Sequence, residues 1–178
     1  GEHGICADFG GAAGSSITVN DGALSASGAK DGIHCGGILT ANGGLVAGTG
    51  TTGHGVYAGN YISMQGGKIA GETKSDDLGR GGIASRSYIE KTDSGAMPDV
   101  VTEPQGGTIG QYQSDGYNRW FVMQGDVPAR RAVIEPRARY NLWVGGSWVA
   151  NDNRIGEGWS YEGDDLTGTL TLTNANIT

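Results

Sequence analysis

The sequence predicts an all-β chain: a right-handed parallel β-helix over residues 1–110, joined to a small C-terminal β module over 111–178. Three observations carry this expectation. A Gly-Ile/Val strand start recurs as Gly4-Ile5-Cys6-Ala7, Gly32-Ile33-His34-Cys35, Gly55-Val56-Tyr57-Ala58 and, more weakly, Gly82-Ile83-Ala84-Ser85. A second apolar strand follows the first three starts, at a repeat of roughly 22 residues that lies within the range of solenoid units. Finally, 35 glycines against four prolines punctuate strands, and windows with the 3.6-residue spacing of an amphipathic helix are absent.

Each unit reads as three short strands. The first is the Gly-Ile/Val start. The second is Ile17-Thr18-Val19, Leu39-Thr40-Ala41 or Ile62-Ser63-Met64, whose alternation of apolar with small or polar residues is the period of a half-buried strand. An amide and a glycine then turn the chain at Asn20-Asp21-Gly22, Asn42-Gly43-Gly44 and Gln65-Gly66-Gly67, where stacked amides can bond from turn to turn. The third strand carries Leu24, Val46 or Ile69. Stacking at about 4.8 Å would line up Ile5, Ile33, Val56 and Ile83 as one inner wall, Ile17, Leu39 and Ile62 as a second, and Leu24, Val46 and Ile69 as a third.

Residues 7–16 and 71–81 read as protruding loops. Gln105-Gly106-Gly107-Thr108-Ile109-Gly110 echoes Gln65-Gly66-Gly67-Lys68-Ile69-Ala70 and predicts one further, expanded turn before the solenoid ends. All four tryptophans lie beyond it. There Arg119–Met123 and Ala132–Glu135 read as strands around an Asp126-Val127-Pro128 turn. Tyr140–Gly146 reads as a hairpin running into Ser147-Trp148-Val149, and Thr167–Leu172 as a final strand. A solenoid end exposes unpaired strand edges, so a cap is physically expected.

A net charge of −7 argues against nucleic acid, whose binding rests on neutralising phosphates. No stretch reaches the roughly 20 apolar residues of a membrane-spanning helix, so membrane insertion is not expected. The two cysteines are too few for a disulfide framework. Cys6 and Cys35 occupy positions of opposite parity, so a buried, free Cys35 is favoured over a bridge.

Catalysis requires a constellation, and the sequence offers few. Asp76 and Asp77 with Arg80 imitate the carboxylate sites of β-helix lyases and hydrolases, yet they share one loop, so a solvated loop is the simpler reading. No cofactor is expected, and calcium is the one ion such carboxylates could take. His34 points outward beside Tyr57, whereas His3 and His54 precede strands. A metal site shared by His3, His34 and His54 is the alternative to solvated positions, which are favoured because no His-x-x-x-His or Glu-flanked pair supports such a site. Sugars stack on exposed rings, which makes His34 and Tyr57 a candidate ligand-binding stripe, extended by Tyr61 and the outward Thr18, Thr40 and Ser63, with Asp76 and Asp77 as further candidates; a Tyr57 that simply packs against a loop is the favoured alternative. The Thr18, Thr40 and Ser63 ladder is too short for an ice-binding face.

Tyr140-Asn141-Leu142-Trp143-Val144-Gly145-Gly146, with Gly158-Trp159-Ser160-Tyr161 and Thr169–Ala175, resembles a module of large secreted surface proteins of gut bacteria. The Gly-Ile-His-Cys-Gly-Gly turns resemble their β-helix repeats, often labelled carbohydrate-binding domains. The resemblance implies a non-catalytic, extracellular or cell-surface segment that binds a polysaccharide or surface glycan as an adhesin would. A polysaccharide lyase or glycoside hydrolase, or a purely structural stalk, are the alternatives. In that family the Tyr-x-Leu-Trp-Val-Gly-Gly block precedes a β-helix, whereas here it follows one. The permuted order implies a head-to-tail array or self-association.

Overall fold

The structure, a computed structural model, describes residues 1–8, 14–92, 99–137, 139–144, 146–152, 154–163 and 168–173. It is all-β among these residues and divides into two compact units, Gly1–Pro136 and Arg137–Thr178. No helix among the described residues is long and apolar enough to cross a membrane.

The first unit is a β-solenoid. Its first turn holds β1 (Ile5–Ala7), β2 (Ser16–Val19) and β3 (Ala23–Gly28); its second holds β4 (Ile33–Cys35), β5 (Ile38–Ala41) and β6 (Leu45–Gly50). The third turn holds β7 (Val56–Ala58), β8 (Tyr61–Met64) and β9 (Lys68–Thr73). A fourth begins with β10 (Ile83–Ser85) and β11 (Tyr88–Glu90). Corresponding strands pair in parallel and in the predicted register: Ile5, Ile33, Val56 and Ile83 form one ladder. Ile17, Leu39 and Ile62 form the second, which Ile89 extends. Leu24, Val46 and Ile69 form the third.

These ladders are the core. Ile33, Leu39, Val46, Val56, Ile62 and Ile69 are wholly buried, each worth about 1.5–3 kcal/mol of apolar transfer. Ile5, Ile17 and Leu24 of the first turn are only half-buried, because β1, β2 and β3 are the edge strands of their sheets. At the second corner Asn42 donates to Asn20 at 2.8 Å, as the amide ladder requires. Gln65 departs from it and donates to Ser63 Oγ at 3.0 Å. Cys6 is exposed, Cys35 is buried, and both thiols are free, as their opposite parity demands.

Close stacking depends on glycine. A Cβ on Gly55 would lie against the Glu72 amide and 2.6 Å from the Gly82 carbonyl oxygen, both main-chain atoms of neighbouring strands that cannot turn aside. Gly55→Ala is therefore expected to cost about 1–3 kcal/mol in urea denaturation, as overpacking does. Gly14→Ala, where a Cβ meets nothing within 4 Å, should fall within about 0.5 kcal/mol of the parent. Equal effects at both sites would refute the close-stacking account.

The expected boundary near 110 requires correction: the solenoid unit runs to Pro136. The parallel path is continued by antiparallel strands rather than by another turn. β12 (Asp99–Glu103) is followed by β13 (Thr108–Ser114), β14 (Tyr117–Gln124), β15 (Val127–Pro128) and β16 (Arg131–Pro136). β14 lies antiparallel on β10, with β13 and β15 paired to it. β16 inserts between β9 and β12, placing Ile134 opposite Ile69. The Gln105–Gly110 echo therefore leads into a hairpin, not an expanded turn. The growing edges of two of the three sheets, at β10 and β9, are thus covered, while β11 remains the last strand of the second sheet.

The second unit contains β17 (Arg139–Val144) paired with β18 (Ser147–Ala150), and a three-stranded sheet of β19 (Ile155–Gly156), β20 (Trp159–Gly163) and β21 (Gly168–Leu172). The predicted hairpin and final strand are both present. Val144 and Val149 form its small core with Leu142, Trp159, Tyr161 and Leu170. Trp143 and Trp148 meet edge to face, 5.1 Å apart.

Candidate functional site

The site grows from two adjacent ladders on the outer face of the first sheet. One position before each Gly-Ile/Val start stand His3, Asp31, His54 and Gly81. Main-chain bonds hold these entries in register: Gly4 donates to the Asp31 carbonyl at 3.1 Å, Gly32 to that of His54 at 3.1 Å, and Gly55 to that of Gly81 at 3.2 Å. Within the strands, Cys6, His34, Tyr57 and Ala84 align. His34 and Tyr57 therefore sit side by side as predicted, with ring centroids 5.1 Å apart. His54 stacks on the same tyrosine at 5.2 Å and 15°.

The antiparallel cap supplies the opposite wall. Pairing of Ala84 with Phe121 seats the Phe121 ring over the small Ala84 and Gly81, 5.8 Å from the His54 ring. Two residues earlier on the same strand, Arg119 reaches over Tyr57, its guanidinium 6.0 Å from the ring centroid. The β13–β14 hairpin turns on Asp115-Gly116, both with positive φ (53° and 78°), the conformation that a two-residue turn of this kind favours. That turn places the Asp115 carboxylate between Arg80 at 2.7 Å and Arg119 at 2.8 Å. Hydrogen bonds from Arg80 first, then Arg119, hold its pKa below the usual carboxylate range.

Between the ladders and the cap lies a groove of about 620 Å³, lined by Asp31, His34, His54, Tyr57, Arg80 and Arg119 among others. Its size is that of a small-ligand site. A smaller hollow of about 170 Å³ adjoins Tyr57 and Arg119 and adds Arg86 and Tyr117, with the Arg86 guanidinium 5.7 Å from the Tyr117 ring. Rings and guanidinium groups thus alternate along one surface.

The groove's electrostatics centre on Asp31, which is buried. One oxygen, Oδ1, accepts the His54 amide at 2.6 Å; the other, Oδ2, accepts from His34 Nδ1 at 2.8 Å and lies 3.2 Å from His3 Nδ1. Burial pushes its pKa up, but these bonds outweigh burial and leave it below the ordinary value. His54 is buried rather than solvated, correcting the sequence expectation, because Phe121 and the cap cover it. Burial pushes its pKa down to about 4, and its Nδ1 accepts the Gly81 amide at 3.2 Å. His3 is lowered too, by burial and then by the neighbouring His34. Burial raises the Tyr57 phenol.

The other predicted residues lie elsewhere. Tyr61 stacks on Tyr88 in the second sheet, 4.6 Å apart and nearly coplanar. Asp76 pairs with Arg130 at 2.6 Å. Asp77 caps the Gly79 amide at 2.8 Å and approaches Arg80 at 3.5 Å, so it touches the groove only through that arginine. Calcium takes roughly six to eight oxygen ligands, and neither aspartate belongs to a three-residue donor cluster among the described residues.

Sequence reasoning missed His3, Asp31 and His54 as a ladder, although one signal was available: the residue preceding each Gly-Ile/Val start. It missed Arg119 and Asp115, which only the folded cap brings to Tyr57. Comparison of the chain with protein-family models, curated proteins and solved structures finds no match.

Proposed function

We propose that this chain is a non-catalytic carbohydrate-binding segment of an extracellular or cell-surface protein, and that the groove across Tyr57 takes an acidic saccharide. The supporting observation is the Tyr57 ring, flanked by two imidazoles and overlooked by Arg119. A pyranose packs on an aromatic face through its C–H groups. Guanidinium is the side chain best matched to a carboxylate, through paired parallel hydrogen bonds. Arg80, Arg86 and Arg119 gather beside Tyr57 and Tyr117; Asp115 pairs with Arg80 and Arg119, so a saccharide carboxylate would replace it on their N–H groups.

Calorimetric titration with hexuronate oligosaccharides, and with neutral oligosaccharides of equal length, tests the reading. Binding of the acidic series is expected to weaken at least about tenfold, ~1.4 kcal/mol, in both Tyr57→Ala and Arg119→Ala, and to fall with added salt. Equal affinity for neutral sugars would remove the acidic specificity, and no binding of either series would remove the function.

One observation favours a second reading, a polysaccharide lyase. The groove residues come from three adjacent turns and the cap, the convergence that a single-loop carboxylate pair lacks. Arginine beside a uronate carboxylate acidifies the α-proton, which Nε2 of His34 would take while the C4–O bond breaks and the departing sugar oxygen receives the proton of the Tyr57 phenol. Growth of the ultraviolet absorbance of an unsaturated uronate product, abolished by Arg119→Ala, would replace binding with catalysis.

A further inference from the structure

We propose that His3, Asp31 and His34 form a divalent transition-metal site of the zinc type at one end of the groove. The three side chains come from two adjacent turns, and their donor atoms all lie within 4.8 Å of one another. Oδ2 of Asp31 stands 2.8 Å from Nδ1 of His34 and 3.2 Å from Nδ1 of His3. Donors bound to one zinc ion at about 2.0–2.1 Å in tetrahedral geometry are separated by about 3.3 Å, so an ion requires only a slight opening of the trio. Two imidazoles and one carboxylate are a donor set for zinc or a similar borderline cation, and a poor one for calcium or magnesium.

Three further features fit a ligand set better than a plain hydrogen-bonded triad. His3 Nδ1 is buried and makes no hydrogen bond despite its closeness to Asp31, so the triad leaves one donor facing the cluster unsatisfied, at the cost that burial of a bare polar atom carries. The Asp31 carboxylate is fixed through its other oxygen by the His54 amide, which leaves Oδ2 as the atom directed at both imidazoles. Nε2 of His34 faces the Asp8 carboxylate at 3.8 Å, the outer partner that orients metal-bound histidines and raises their basicity.

Three protein donors leave a coordination position free, and Asp31 and His34 both line the groove. A closed structural site would use four protein donors. This one would present its open position to whatever occupies the groove, so that a hydroxyl or carboxylate of a bound ligand can complete the shell. The assignment does not depend on the glycan reading, since the ion is bound by protein atoms alone.

The test uses the full chain stripped with chelator. Cobalt(II) is added and followed by its visible d–d absorption, and zinc is added in a calorimeter. One equivalent of each is expected to bind, and zinc should raise the thermal midpoint, since an ion held only by the folded state stabilises it. His34→Ala and Asp31→Asn should each weaken binding by at least about 100-fold, and Asp8→Ala by about tenfold, as loss of an outer partner does. Circular dichroism verifies the fold of each variant. His34 is on the outer face, so His34→Ala remains decisive if Asp31→Asn fails to fold. Absence of stoichiometric binding would overturn the site. So would binding that is lost in His3→Ala but persists in His34→Ala, because that pattern marks chelation by the residues around His3 alone.

Discussion

Phe121→Ala is expected to destabilise the solenoid unit by about 3–5 kcal/mol, the cost of truncating a fully buried aromatic. Phe121 has no solvent exposure, rests on Ala84 and Gly81, and meets Tyr112 edge to face at 6.3 Å. The cavity cannot collapse readily, because its floor is the main chain of β10 and its neighbours are already at van der Waals contact. Two consequences separate this from a generic core defect. Arg119 sits on the same strand, so ligand affinity in the groove should fall with stability. His54 loses its cover, so its pKa should rise from about 4 toward the ordinary value near 6.5. Urea denaturation and the proton resonances of His54 read both. Tyr117→Ala, on the same strand but exposed, should change stability by less than about 0.5 kcal/mol. A Phe121→Ala loss comparable to that would mean the cap is not held by this ring.

Acidification should weaken the fold well before carboxylates titrate. His54 has a folded pKa near 4 against about 6.5 when unfolded, so between these values the unfolded chain binds more protons than the folded one. Stability therefore rises with pH through this window, is fully present above about 6.5, and is lost progressively as pH falls toward 4. The shift corresponds to roughly 3 kcal/mol. Burial is its largest cause; Arg80 and Arg119 act in the same direction and Asp31 opposes them. His3, also lowered, adds to the same slope, and the depressed Asp31 extends the loss below the ordinary carboxylate pKa. Denaturation midpoints between pH 7 and 4.5, in buffer containing chelator so that no metal ion contributes, should fall steeply for the parent. In His54→Gln the dependence should be much flatter. A parent profile as flat as the variant's would show that His54 is hydrated in the folded state.

Much of the fold was legible because a solenoid writes its contacts as a period. Ile33 and Val56 occupy the same place in consecutive units, and stacking makes them neighbours; no long-range inference is needed beyond the register. The same alternation placed His34 and Tyr57 on the outer face. Legibility failed where pairing changed direction. After Ser85 the sequence pattern weakens although β11 still stacks on β8, and Gln105–Gly110, a glycine corner followed by a β-prone stretch, suits a hairpin as well as a turn of the solenoid. The Asp115-Gly116 dipeptide was the local sign that a hairpin had begun. Asp31 and His54 were hard to read for another reason: each is a single polar residue at a strand entrance, a position where turn residues are ordinarily solvated. Only folding buries them: Asp31 among His3, His34 and the His54 amide, and His54 beneath Phe121 of the cap.

The local pattern of glycine corners and alternating aliphatics was thus enough to determine the turns, their register and the composition of the inner walls, since stacking units bury like against like at a spacing set by the backbone. The tertiary structure alone decided what stands opposite the outer face. Strand β14 returns antiparallel on β10 and carries Arg119 and Phe121 to Tyr57 and His54, residues far apart in the chain. Nothing periodic links these positions. Their meeting, and with it the groove, its charge and its depressed histidine, follows from which sheet edge the last strands found to cover.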